Sequence, residues 1–249
     1  MCMTFFGTVV LAISLVGVAS ADEQADAKAI LDAGIKAQGG EALMSKFTAV
    51  HSKTKGNWHD GDKKTPVSYE CFYDGSDKSR LLTFDEDNKL TSIEVANGKE
   101  GWEKDGDQET ETLSGEKLES LRENNYVNWV MMLFPLGAKE FHLSILDEIE
   151  VGGRKAVGIL VKHEKHDPVR LYFDKETHLF VKLQRKYKNV DDGKVYDVEC
   201  IVSDYRSVQD TKQPFKMEIL WDKETVFDVV MTELKLYEKP LDEKLFVKP

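Results

Sequence analysis

Val67-Ser68-Tyr69-Glu70-Cys71 and, far downstream, Leu179-Phe180-Val181-Lys182-Leu183 decide the fold class. Each is a short run rich in β-branched and aromatic residues, with apolar side chains recurring at a period of two. Turn dipeptides bound such runs at Asp60-Gly61, Asp74-Gly75, Asn97-Gly98, Asp105-Gly106, Gly152-Gly153 and Asp192-Gly193. From Ala49 onward the pattern gives about twelve regularly spaced strands, the mark of an antiparallel sandwich or barrel and not of a parallel α/β sheet.

Two stretches have helical period instead. Residues 25–38 place Ala29, Ile30, Ala33 and Ala37 on one face, and Gly39-Gly40 stops the helix. A short second helix is expected over 41–47. Residues 114–134 open on Ser114 as N-cap, carry Glu116 and Glu119 in the first turn, and line up Leu118, Leu121 and Asn125. From Tyr126 to Phe134 this segment is apolar nearly all round, so it is expected to be enclosed, with Pro135 ending it.

The N-terminal residues read as an export leader. Residues 1–21 contain no charge, carry an apolar stretch from Phe5 to Val18, and end in Ala19-Ser20-Ala21, the small-x-small pattern of a signal-peptidase site. The stretch is shorter than the roughly 20 residues a membrane-spanning helix needs. The reading is therefore a cleaved leader, residues 1–21, followed by one β-rich domain, 22–249, in the periplasm or outside the cell, with no stable membrane insertion. Cys2 precedes the apolar stretch, so it is not the acylated cysteine of a lipoprotein. The net charge of −11, with both signs interleaved along the strands, argues against nucleic acid. Cys71 and Cys200 remain after cleavage. Export permits a disulfide between them, yet both fall on the apolar phase of their strands, where buried thiols sit; bridge and free thiols stay open.

Catalytic constellations are weak. There is no nucleophile elbow, no His-Glu-x-x-His, no phosphate-cradling glycine loop and no Cys-x-x-Cys. His163-x-x-His166 lacks a third ligand and reads as a surface loop. No catalytic residue, metal or cofactor is assigned, and the chain is read as a non-enzyme. The aromatic and methionine content says more. Together with the enclosed helix it points to an apolar cavity lined by Trp58, Leu82, Phe84, Trp102, Trp129, Met131, Met132 and Phe134. Arg80 shares a strand face with Leu82 and Phe84, placing a charge where alternation calls for an apolar side chain. It reads either as a rim residue or as a guanidinium bonded to the backbone carbonyls of a lid.

The chain also resembles the LolA/LolB-like superfamily of outer-membrane lipoprotein-sorting proteins. The resemblance rests on residues 30–40 (Ile-Leu-Asp-Ala-Gly-Ile-Lys-Ala-Gln-Gly-Gly), on 171–179 (Leu-Tyr-Phe-Asp-Lys-Glu-Thr-His-Leu), on 203–208 (Ser-Asp-Tyr-Arg-Ser-Val) and on 240–246 (Pro-Leu-Asp-Glu-Lys-Leu-Phe). It implies a curved, incomplete antiparallel barrel with helices packed in the concave face, acyl chains as cargo, and Arg80 as the residue holding the lid helices closed. Two functions are carried forward: a carrier or binder of lipid or acylated protein in the envelope, and an envelope sensor that recruits a protein partner through the same face. N-terminal sequencing of the exported protein is expected to begin at Asp22; a chain still starting at Met1 and soluble only in detergent would refute the cleaved leader.

Overall fold

The computed structural model describes residues 21–249; the expected leader lies outside them except for Ala21, which opens the first helix. Helix α1 (Ala21–Gln38) and one turn, α2 (Glu41–Met44), are followed by a meander of β1 (Ala49–Asp60), β2 (Lys63–Asp74), β3 (Lys78–Phe84), β4 (Leu90–Asn97), β5 (Glu100–Asp105) and the short β6 (Glu111–Thr112). Helix α3 (Gly115–Val130) and a 3-10 turn (Phe134–Gly137) lead to a second meander. It comprises β7 (His142–Val151), β8 (Arg154–His163), β9 (His166–Asp174), β10 (Phe180–Lys188), β11 (Val195–Val208), β12 (Thr211–Trp221) and β13 (Glu224–Tyr237).

All thirteen strands form one antiparallel sheet in the order β6-β5-β4-β3-β2-β1-β13-β12-β11-β10-β9-β8-β7, and the sheet does not close into a barrel. The first and last strands pair along the middle, from Ala49 with Tyr237 to Trp58 with Phe227. Curvature follows from α3, which packs on both β5 and β9. These strands are nine places apart, about 43 Å along a flat sheet, whereas 16 helical residues span only about 24 Å. The sheet must therefore bend around the helix, giving a concave inner face and a convex outer one.

The main core lies between α1 and the β7–β12 wall. Leu31 and Ile35 meet Ile159, Val161, Leu171, Phe173, Leu183, Cys200 and Val202, all buried. The buried face of α1 is Ala27, Leu31, Gly34, Ile35 and Gln38; of the expected Ala29, Ile30, Ala33 and Ala37, Ile30 packs partly buried against this core, Ala33 and Ala37 are half-buried and Ala29 is exposed. The bulk of Leu31 and Ile35 turns the helix so that they, and not the alanines, face the wall. The helix stops where expected, with Gly39 at φ 137° and Gly40 at φ 87°, conformations that favour glycine. Helix α2 ends at Met44, earlier than the expected 47.

Helix α3 is also shorter than expected. It ends at Val130; Met131 and Met132 form a turn, and Leu133 takes φ 63° before the 3-10 turn that contains Pro135. The reversal buries Leu133, Pro135 and Leu136 in a way a continuous helix would not.

The segments that carry the family resemblance are structural ties. Asp174 accepts from the Arg154 guanidinium (2.5 and 2.9 Å), from the backbone N–H of Glu176 and Thr177, and from the Thr177 hydroxyl. Burial works against its charge, but these donors prevail and hold the carboxyl near 2. Tyr205 donates to the Phe180 carbonyl at 2.5 Å and accepts from Gln38 at 3.3 Å, fastening the end of α1 to the sheet. Phe246, fully buried, closes a second core against Val95 and Trp102 on the outer face.

Gly34 supplies a direct check on the seating of α1. A Cβ there would stand 2.5 Å from Cε1 of Phe173, a ring with no room to move. Gly34→Ala is expected to cost about 1–3 kcal/mol and lower Tm by about 3–8 °C in a thermal melt. An unchanged Tm would show that the helix does not pack there.

Candidate functional site

Strand register sorts every side chain onto one face or the other. Cys71 pairs with Ser52 and Leu81, and Leu81 with Glu94, so these residues share the inner face with Ala96, on which Leu118 and Leu121 of α3 pack. By the same register Arg80, Leu82 and Phe84 share the outer face with Phe72 and Val95. The Gly101 Cα faces Leu118 and Leu121, which puts the neighbouring Trp102 outside.

The proposed lining is therefore divided by the sheet. Trp58, Trp129, Met131 and Phe134 lie on the inner side, the last three against the main core, with Met132 half-buried in the turn after α3. Leu82, Phe84 and Trp102 are on the outer face, Trp102 beneath the C-terminal segment. Alternation fixes which residues share a face, but both faces of this sheet carry apolar side chains. Arg80 is outside too: its Nη1 donates to the Leu245 carbonyl at 3.1 Å. What it fastens is the C-terminal turn (Glu243–Phe246), not α1 or α3.

The residues the inner face does bring together lie along the central seam. Trp58 pairs with Phe227, Phe227 with Ile219, Val229 with Met217, and Thr54 with Met231. The Tyr69 ring approaches Phe227 edge-on, with centroids 6.3 Å apart. Most of these side chains are half-buried and Trp58 is 40% exposed, so this stretch forms a partly exposed apolar floor on the inner face, with Met217 and Ile219 packed against the edge of the main core. Sequence reasoning found Trp58 there and missed Tyr69, Met217, Ile219, Phe227 and Met231. The signal was the period-two pattern of β12 and β13, carried by ordinary core residue types that do not stand out.

Two other clefts, of about 250 Å³ beside Gln24, Phe141 and Leu143 and about 490 Å³ beside Arg170, Gln184 and Glu199, lie away from this floor. In the second, Glu199 is already satisfied by Lys182 (2.7 Å) and Gln184 (2.8 Å). Among the described residues no group of three or more His, Cys, Asp or Glu side chains is arranged to hold a metal ion.

At its far end α3 is clamped by the turn that sequence reading left on the surface. His166 stacks on Tyr126 at 3.6 Å between ring centroids, and its Nδ1 meets Glu123 Oε2 at 2.7 Å. His163 sits 5.3 Å from Phe141, which in turn touches Trp129. Burial lowers the pKa of His163, and the neighbouring His166 adds to the effect. The two histidines are packing residues. The Tyr126 hydroxyl and the Asn125 amide nitrogen are buried without hydrogen-bond partners.

On the inner face, one row along the strands from Ala96 and the α3 leucines, lies a polar patch. Glu94 on β4 stands directly opposite Glu103 on β5, and burial, reinforced by Glu103, pushes Glu94 up to about 7. Nearby, Cys71 bonds with Ser52 and Tyr73, and Tyr73 with Asn128 of α3.

Both cysteines are free thiols, so the bridge left open by the sequence is not formed. They lie four strand intervals apart, about 19 Å along the sheet. Cys200 also falls in the row of Trp58, and Cys71 in the row of Ser52, a further offset of about 20 Å along the strands. A disulfide needs Cα atoms within about 7 Å.

No family model matches the sequence, and none of the curated proteins does. Solved structures match in fold. A LolA superfamily protein of Nitrosomonas europaea superposes with a TM-score of 0.60 at 12% identity, covering 89% of this chain and 97% of that one. A DUF1329 family protein of Desulfovibrio piger gives 0.59 at 12% identity with the same coverages. An outer membrane lipoprotein-sorting protein domain of Vibrio parahaemolyticus gives 0.57 at 9% identity, covering 90% and 97%. The chain has the fold of these proteins.

Burial pushes both thiols up to about 12, so neither forms thiolate readily in the folded state. Thiol titration of unreduced residues 22–249 is expected to find two reactive thiols after unfolding and almost none before. No thiols after unfolding would restore the bridge.

Proposed function

We propose that the protein is an exported, non-enzymatic binder or carrier of lipid or lipidated protein in the cell envelope. The observation that carries this reading is the seam of Trp58, Tyr69, Met217, Ile219, Phe227 and Met231: a half-buried apolar floor on the concave face. A face of this chemistry suits a flexible apolar chain, which gains from the area it removes from water and needs no fixed polar partner. Aromatic rings and methionines adapt to an irregular guest. The fold shared with a domain described as lipoprotein-sorting supports the same reading. No helix among the described residues is long and apolar enough to cross a membrane.

One observation favours the second reading, a sensor that recruits a protein. Strand β7 ends the sheet with one side unpaired, and Ile145 on it is 41% exposed, so an extended peptide could add a strand there. The edge also carries Asp147, Glu148 and Glu150 and an irregular register between Leu146 and Ile149, features that discourage pairing.

A fluorescent fatty-acyl probe distinguishes the faces. Phe227→Asn is expected to weaken probe binding by about ten- to a hundredfold, on the order of the 1.5–3 kcal/mol gained by burying an aromatic side chain against a guest. Leu82→Asn, on the outer face, is expected to leave affinity within about twofold. Both are read at a temperature where each variant is folded. No saturable binding by the unmodified protein would end the carrier reading and leave the sensor ahead.

A further inference from the structure

Strand register puts a cation, Arg185, on the inner face. Leu183, a core residue, pairs with Cys200; two residues along, Arg185 pairs with Val198, which pairs in turn with Trp221 of β12. Arg185 therefore stands one row along the strands from the line of Trp58, Phe227, Ile219 and Cys200. Its guanidinium carbon is 5.1 Å from the centroid of the Tyr187 ring, Tyr187 is 5.5 Å from Trp221, and Trp221 is 4.8 Å from Tyr196. All three rings are half-buried, and Trp221 shares its face of β12 with Ile219 of the floor. The aromatic group thus continues the apolar floor as far as Arg185.

The chain supplies this guanidinium with little compensation. Its Nη2 donates to Asn124 Oδ1 of α3 at 2.6 Å, and that acceptor is neutral. Arg185 forms no ion pair among the described residues. Glu123 and Asp167 attract it from farther off, but Glu123 is already engaged by His166 at 2.7 Å and by the Asp167 N–H at 3.3 Å. Tyr187 and Cys200, the other ionisable groups that act on it, are not carboxylates. Burial meanwhile lowers the pKa of Arg185. Its remaining donors are not sealed in. Among the described residues the buried side-chain nitrogens and oxygens without a partner are Asn125 Nδ2 and the Tyr126 hydroxyl, so the unused Arg185 nitrogens reach solvent. A planar fork with free donors, half out of water and lacking a counter-ion, is matched by a carboxylate or a phosphate.

We infer that Arg185 is the head-group site of the inner face and that the guest is an anionic amphiphile, its carboxylate or phosphate paired with the guanidinium and its acyl chain laid on the floor toward Trp58. The inference rests on the carrier reading and narrows it, from lipid or lipidated protein to a lipid with a free oxyanion. Length agrees with it. Arg185 on β10 and Trp58 on β1 are four strand intervals apart, about 19 Å on a flat sheet and less on a concave face. The hydrocarbon core of a bilayer, two chains deep, is about 30 Å thick, so one chain extends about 15 Å. An uncharged head at this place would displace the water on Arg185 without replacing what the cation loses, whereas an oxyanion accepts charge-assisted hydrogen bonds from it.

Displacement of a neutral fluorescent acyl probe from the delipidated protein tests it, with dodecanoate, dodecyl phosphate and dodecanol as competitors at about pH 8, where a carboxylic acid is ionised. An oxyanion head is expected to lower the displacing concentration by about tenfold relative to dodecanol, the scale of a hydrogen bond to a charged group. Arg185→Gln is expected to abolish that preference. Asn124→Asp, which sets a carboxylate of the chain itself against the guanidinium, is expected to reduce it, and decides the matter if Arg185→Gln does not fold. Arg170→Gln, which removes a cation from the outer face, is expected to leave the preference intact. Whichever of dodecanoate and dodecyl phosphate displaces at the lower concentration identifies the head. The inference is overturned by equal displacement by all three competitors, by a preference that survives Arg185→Gln or is unchanged in Asn124→Asp, or by one lost in Arg170→Gln. The carrier reading fails differently, through a probe that shows no saturable binding at all, and it would take this inference with it.

Discussion

The structure depends on one crossing: a helix of 16 residues that must bridge the two walls of an open sheet. The strand order makes this crossing unavoidable. Because the sheet runs from β6 through β1 and β13 to β7, the link between β6 and β7 joins its two outermost edges. A linker crossing the outer face would have to go around the convex side, the long way. Crossing the inner face is short, and a short rigid helix there sets how strongly the sheet curves. The curvature in turn makes the inner face concave, and residues of α1 and the second half of α3 share one core on it.

The same topology explains why the floor lies at the central seam. Strands β1 and β13 are the first and last of the chain, and their pairing joins two meanders that each pack against their own cover. Helix α1 covers the β7–β12 wall with the large core, and the leucines of α3 cover β4 and β5. The seam falls between the covers. Met217 and Ile219 pack against the edge of the main core while Trp58 stays exposed, and the C-terminal segment goes to the outer face, held by Arg80, Asn97 and the burial of Phe246.

Much of this was legible in the sequence. Period-two runs and turn dipeptides gave an antiparallel sheet of nearly the right strand number, with helices before it and within it, and the glycine stop at Gly39-Gly40. What alternation could not give was which face is inner. Arg80, Leu82 and Phe84 do share a face, as their spacing requires, but this sheet is apolar on both sides, with α1 and α3 on one and Leu241, Leu245 and Phe246 on the other. Nothing local in β3 distinguishes those covers. The end of α3 was hidden for a related reason. The run from Tyr126 to Phe134 is apolar enough to be buried in any conformation, and Pro135 marked where helix is forbidden, not the earlier point at which Leu133 turns back. His163 and His166 were placed on the surface because their partners, Glu123 and Tyr126, are about forty residues away in sequence and adjacent only once the helix has crossed.

The positions that carry the resemblance to lipoprotein-sorting proteins, by contrast, say little about cargo, and the structure shows why. Asp174 organises a turn, Tyr205 ties a strand to the end of α1, and Phe246 closes the outer core. All three stabilise the curved sheet whatever it holds. The floor residues Trp58, Phe227 and Met217 belong to none of those segments, and Arg185 belongs to none either. Fold and contents are therefore set by separate parts of the sequence. That separation is physically reasonable: the ties are made of hydrogen bonds and close packing with one solution each, while an apolar floor asks only for area and adaptability, which many combinations of large side chains supply. A chain can keep the sheet with little sequence identity to other proteins of this shape, as matches at 12% and 9% identity show.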